Sequence, residues 1–213
     1  MNKVKRQKIF EIWQKNNPNP STELKYTSNF ELLIAVILSA QATDISVNKA
    51  TDQLYPIANT PKAIFTLGQT GLMPYIQSIG LYKNKAKNII KACKILMEQH
   101  DNQIPKDRKS LKELPGVGPK TANVILNTAF GELTVAVDTH VFRIANRINL
   151  APGKDVNEVE IHLLQVIPKQ FLKNAHHWLI LHGRYICTAK KPKCNECSIY
   201  SLCEFNQKEM YLI

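Results

Sequence analysis

A chain of 213 residues with 44% hydrophobic and 21% charged side chains is too apolar to stay disordered and long enough for one large or two small domains. Its 28 lysines and arginines against 17 acidic residues leave a net charge of +11, which favours a polyanionic partner such as nucleic acid. The longest apolar run, Leu32 to Leu38, has seven residues where a bilayer crossing needs about 18, so it reads as a buried core helix and no membrane partner is expected.

In chain order, the opening MNKVKRQKIFEIWQKN is charged and lacks the apolar core of a secretory signal, so no export is implied and a cytoplasmic location is expected. Three- and four-residue apolar spacing predicts helices over 3–16, 29–38, 45–55, 62–67, 71–79, 85–100, 108–114, 120–129, 139–148, 156–166 and 175–186. Pro18, Pro20, Pro61, Pro105, Pro152 and Pro168 fall between these segments, where a missing N–H and a fixed φ stop or start helices. In KAKNIIKACKILMEQH, the residues Ala86, Ile89, Ile90, Cys93, Leu96 and Met97 form one apolar stripe, with the lysines expected opposite and Cys93 as a packing residue. Sustained two-residue alternation is missing, and the chain is expected to be all-α.

Between two of these helices stands LPGVGPK, residues 114–120. Gly116 and Gly118 permit positive φ and close backbone approach, and Pro119 suits a first helical turn, where its missing N–H costs nothing. The outward-facing amides of such a helix start, with the helix dipole behind them, form an anion site that fits a phosphate. Lys120, next in line, is either a plain phosphate contact or a nucleophile. Eighteen residues on, in TVAVDTHVFRIANR, Asp138 opens a further helix, where an N-cap alone would account for it.

Four of the five cysteines, Cys187, Cys194, Cys197 and Cys203, lie within 17 residues with the spacing C-x6-C-x2-C-x5-C. Such clustering argues for one metal centre rather than disulfides. The centre is tetrahedral zinc or a [4Fe-4S] cluster, and the single C-x2-C is unlike the paired knuckles common in zinc sites. Lys190, Lys191 and Lys193 fill the first loop between ligands, either gripping phosphates or forming a solvated charge run.

Taken together, SAQATD, GLYKNKA, LPGVGPKTA, VDTHVFR, HHWLILHGR and the cysteine spacing resemble the endonuclease III family of helix-hairpin-helix DNA glycosylases, over nearly the whole chain. That resemblance implies a [4Fe-4S] cluster on the four cysteines and two helical domains with a DNA-binding cleft between them. One is a six-helix domain over 22–132 with the hairpin at about 108–127. The other combines residues 1–21 with an iron-sulfur domain over 133–213, whose cluster loop is 187–203.

The implied activity is base excision repair: removal of an oxidised pyrimidine from double-stranded DNA, then cleavage of the abasic site by β-elimination through a lysine Schiff base. Lys120 would be the nucleophile, and Asp138 would stabilise positive charge on the sugar and assist proton transfer. Gln41 and Leu81 would fill the gap left by the extruded nucleotide. Gly116, Gly118, His140 and Lys191 would contact DNA, and a monomer is expected. Many family members carry Arg just before the lysine; Pro119 stands there in this chain, which implies altered DNA affinity rather than lost chemistry. Two alternatives stand beside this reading: an adenine glycosylase, whose members usually lack the lysine, and a non-catalytic DNA-binding protein.

Overall fold

The computed structural model describes residues 1–212, so the last residue of the expected 133–213 domain lies outside the description. Its helices are α1 (Lys3–Asn16), α2 (Asn29–Ser39), α3 (Asp44–Leu54), α4 (Pro61–Ile76), α5 (Tyr82–Gln99), α6 (Arg108–Glu113), α7 (Pro119–Phe130), α8 (Thr139–Arg147), α9 (Val156–Val166) and α10 (Leu172–Tyr185). Short 3-10 turns follow at Cys194–Glu196, Tyr200–Leu202 and Lys208–Tyr211, and no strand occurs among the described residues. The chain divides into two compact units: Thr22–Gly131, and Met1–Ser21 with the chain from Glu132 onward.

The unit over Thr22–Gly131 is built around α2, in which every residue from Phe30 to Leu38 is buried. A helix apolar on all sides has no outer face and must be surrounded, here by α3, α5 and α7. Its one buried charge, Glu31, is satisfied by the Thr27 amide at 2.5 Å, the Thr27 hydroxyl at 2.8 Å and Asn59 Nδ2 at 3.3 Å. Ser28 caps the helix through the Glu31 amide. The segments expected over 62–67 and 71–79 meet in α4, where Gly68 at φ +69° breaks the regular turn.

One expectation is corrected in α5. Lys83, Lys87, Lys91 and Lys94 face solvent as the stripe predicts, but Lys85 is buried at 6% exposure. It precedes Ile89 by four residues, which places it on the apolar face rather than opposite. Cys93 is fully buried, as a packing residue should be, and burial pushes its thiol up to about 12.

In the other unit, aromatic rings from α1, from α10 and from the 3-10 turn Lys169–Phe171 before it pack together. Phe10 stacks on Phe171 with centroids 5.6 Å apart and meets Trp13 edge-on at 5.3 Å, and Trp178 Nε1 donates to the Asn17 carbonyl at the end of α1. Helices α8 and α10 pack together, and Gly183 lets them approach: a Cβ there would lie 2.9 Å from His140 Cβ. Glu204 accepts from Lys5 Nζ at 2.8 Å and Asn149 Nδ2 at 2.7 Å, and these bonds draw its carboxyl down to about 2.

Leu33→Ala empties a fully enclosed site in α2. It should lower unfolding free energy by about 2–5 kcal/mol, read as a lower urea midpoint with unchanged slope.

Candidate active site

The hairpin turn is tight for a reason internal to the fold. Helix α6 ends at Glu113, Val117 N–H donates back to the Leu114 carbonyl at 3.0 Å, and the Val117 side chain is buried. Gly116 adopts φ +91°, and a Cβ on it would press against Ile37 Cγ2 at 3.3 Å and Asn88 Cβ at 3.4 Å. Gly118 differs from what the sequence suggested. Its φ is −89°, which any residue adopts, and a Cβ there would meet nothing within 4 Å. What its missing side chain does is leave the start of α7 open. Gly118 is the N-cap residue and supplies no side-chain acceptor, Pro119 takes the first helical position without an N–H, and Gly118, Pro119 and Lys120 are all exposed. An anion could therefore reach the positive end of this helix.

Gln41 and Leu81, 40 residues apart in sequence, belong to neighbouring loops: a Cβ on Gly80 would lie 3.5 Å from the Gln41 carbonyl. Both have left-handed backbones, at φ +57° and φ +60°, a conformation non-glycine residues seldom take. Leu81 is 59% exposed, which removes the packing explanation for a large apolar side chain at this position.

Asp138 is the N-cap of α8, its Oδ1 accepting from the His140 amide at 2.9 Å and the Val141 amide at 2.8 Å. These bonds fix the carboxylate at the head of the helix. Lys120 belongs to one unit and Asp138 to the other. His140 Nδ1 lies 3.3 Å from Arg143 Nη2, and Arg143 also donates to the carbonyls of Gly183 at 2.7 Å and Cys187 at 3.2 Å.

The four clustered cysteines line one pocket with Ile148, His182, Ile199 and Phe205. Among the described residues, no group of three or more His, Cys, Asp or Glu side chains is arranged to hold a single metal ion. Four thiols lining a common space are the donor set that a [4Fe-4S] cluster takes. Burial raises Cys197 to about 11, with the other three cysteines adding repulsion, so thiolates gathered here need cationic charge among them. Protein donors approach from outside: Arg147 Nη1 lies 3.5 Å from Cys187 Sγ and the Phe205 amide 3.5 Å from Cys203 Sγ, while His182 Nε2 stands 3.8 Å from Cys197 Sγ. Arg147 further holds the carbonyls of Thr188 at 2.7 Å and Ala189 at 2.9 Å, and Lys190, Lys191 and Lys193 are exposed on the same loop.

Arg143 and Arg147 were not singled out by sequence reasoning. Their spacing of four residues in VFRIANR, which puts both on one face of α8, was the available signal.

The HhH-GPD superfamily of base excision DNA repair proteins matches residues 34–169, and the iron-sulfur binding domain of endonuclease III matches residues 187–203. An endonuclease III of Escherichia coli strain K12 is 61% identical over 208 residues, covering 98% of this chain and 99% of the relative. A trapped endonuclease III–DNA covalent intermediate is 42% identical and a non-covalent endonuclease III–DNA complex 43% identical, each with a TM-score of 0.91 and 99% coverage of both chains. An all-helical hairpin protein with this cysteine loop is thus a base excision repair protein that acts on DNA. The chain belongs to the endonuclease III family: it is a DNA glycosylase with lyase activity at abasic sites, and its cofactor is an iron-sulfur cluster.

Gly116→Ala tests the turn. A Cβ forced into a left-handed backbone against Ile37 should cost about 1–2 kcal/mol of stability and weaken binding to a duplex carrying an abasic analogue, read by thermal melting and by fluorescence anisotropy.

Proposed function

We propose that the lesions removed are oxidised pyrimidines and that Lys120 and Asp138 carry the chemistry. The neutral Lys120 Nζ attacks C1′ of the damaged nucleotide as the base leaves with the glycosidic electron pair. Loss of a proton from Nζ and breaking of the C1′–O4′ bond open the sugar to a Schiff base, which acidifies C2′–H; loss of that proton breaks the C3′–O bond and expels the 3′ phosphate by β-elimination. Asp138, held by the amides of His140 and Val141, stabilises the cationic sugar and assists the proton transfers. The observation that carries this reading is an exposed lysine placed directly behind an uncapped, open helix start, in a chain related to a protein trapped covalently on DNA.

The remaining parts serve that step. The open start of α7 at Gly116 and Gly118 receives a DNA phosphate, with His140 and Lys191 as further DNA contacts. Gln41 and Leu81 enter the duplex where the nucleotide is extruded, an exchange that costs roughly a few kcal/mol of stacking and pairing. Cys187, Cys194, Cys197 and Cys203 hold the [4Fe-4S] cluster, which when bound staples the loop that presents Lys191. One chain supplies every group named, so the active form is a monomer, working on DNA in the cytoplasm.

Lys120→Gln should abolish borohydride trapping on an abasic duplex, and a persisting adduct would move the nucleophile elsewhere. Asp138→Asn keeps a helix cap, so it should fold and bind DNA while turning over about 10²–10⁴-fold more slowly. Cys197→Ser should lower iron content per chain. Among duplexes carrying one lesion each, oxidised pyrimidines should be excised faster than oxidised or alkylated purines.

A further inference from the structure

Lys85 is a buried cation that the chemistry above does not use. Its Nζ donates to the Leu38 carbonyl at 2.9 Å and the Ala40 carbonyl at 2.5 Å, at the C-terminal end of α2. These are among the carbonyls that a helix end leaves without internal partners, and the negative end of the helix dipole adds to the attraction. The Ala40 carbonyl is one peptide bond from Gln41. From the same residue, the Lys85 backbone N–H donates to the Leu81 carbonyl at 3.0 Å and closes the first turn of α5. Lys85 therefore grips the backbone beside both left-handed residues, with its side chain on one and its amide on the other. At 6% exposure little water shares in these bonds, and the same desolvation lowers the pKa of the ammonium.

We propose that Lys85 is a positioning residue that clamps the Gln41 loop to the Leu81 loop, so that the two side chains enter the duplex as one rigid wedge. The inference rests on the reading of Gln41 and Leu81 as the residues that fill the extruded nucleotide's place. Separate loops would each lose freedom on entering DNA, whereas a clamped pair meets that cost during folding.

The test uses the cluster-loaded protein and two abasic substrates, one fully paired and one with the abasic site inside a pre-opened bubble. A third duplex, carrying a tetrahydrofuran abasic analogue opposite 2-aminopurine, reports unstacking by fluorescence. Lys85→Met should nick the paired substrate about tenfold more slowly, lose most of the 2-aminopurine signal at saturating protein, and return to within about twofold of the parent rate on the bubble. Equal slowing on both substrates, with the fluorescence signal retained, would reduce Lys85 to a general stabiliser and overturn the proposal.

Gln41→Ala and Leu81→Ala separate the two claims. If they lose signal and paired-substrate rate while Lys85→Met does not, the clamp fails and the wedge stands; if neither variant changes either readout, the wedge fails and takes the clamp with it. Combined with Lys85→Met, each should add less than its separate effect. Should Lys85→Met not fold, Lys85→Gln, which keeps a donor for one carbonyl, carries the same comparison.

Discussion

The ends of α-helices leave backbone groups without partners, and this constraint organises the chain. Gln41 follows the end of α2, Leu81 precedes α5, Gly118 caps α7, Asp138 caps α8, and Cys187 comes two residues after the end of α10. An all-helical protein offers no strand edges or sheet crevices on which to build a site. Helix ends are where its backbone can still bind something, and the sequence treats them differently according to use. Asp138 fills its helix start with a carboxylate, while Gly118 leaves its start open to solvent.

A second pattern is the use of cations on carbonyls rather than on carboxylates. Lys85 holds two carbonyls at the end of α2, Arg143 holds those of Gly183 and Cys187, and Arg147 holds those of Thr188 and Ala189. A hydrogen bond from a charged donor is stronger than a neutral one, and a forked guanidinium can hold two acceptors in fixed geometry. Each of these side chains fixes a loop that carries residues of the candidate site. Surface ion pairs such as Lys25–Asp52, both ends half-exposed, give much less positional control.

Much of this was legible in the sequence because helices announce themselves by period. The apolar spacing gave α1 and α9 their full extents and most others to within a few residues, since burial on one face leaves a repeating mark. The hairpin, Asp138 and the cysteine spacing were visible for a related reason: turns, caps and metal loops constrain residue type locally. Gly116 and Gly118 look alike in LPGVGPK, yet a left-handed backbone and close neighbours require glycine at the first, while the second stands in open space with an ordinary backbone, and only the surroundings of each position tell them apart. Lys85 was misread because a lysine counts as outward by type, although its register with Ile89 pointed inward. Its acceptors lie more than 40 residues away, beyond the reach of any local pattern.

The cluster loop shows why local chemistry must sometimes replace a core. Helix α2 keeps its shape because nine consecutive side chains are buried around it. From Cys187 to Cys203, only Cys187, Pro192 and Ile199 are buried, and the regular structure is limited to single 3-10 turns. Ordering a residue costs about 1–2 kcal/mol of backbone entropy, which three buried side chains cannot offset over 17 positions. Attachment of the cluster at the four cysteines, as proposed, would remove most of that freedom, and the carbonyl bonds of Arg147 fix the stretch between the first two. The loop can then leave Lys190, Lys191 and Lys193 exposed, because its shape does not depend on burying them.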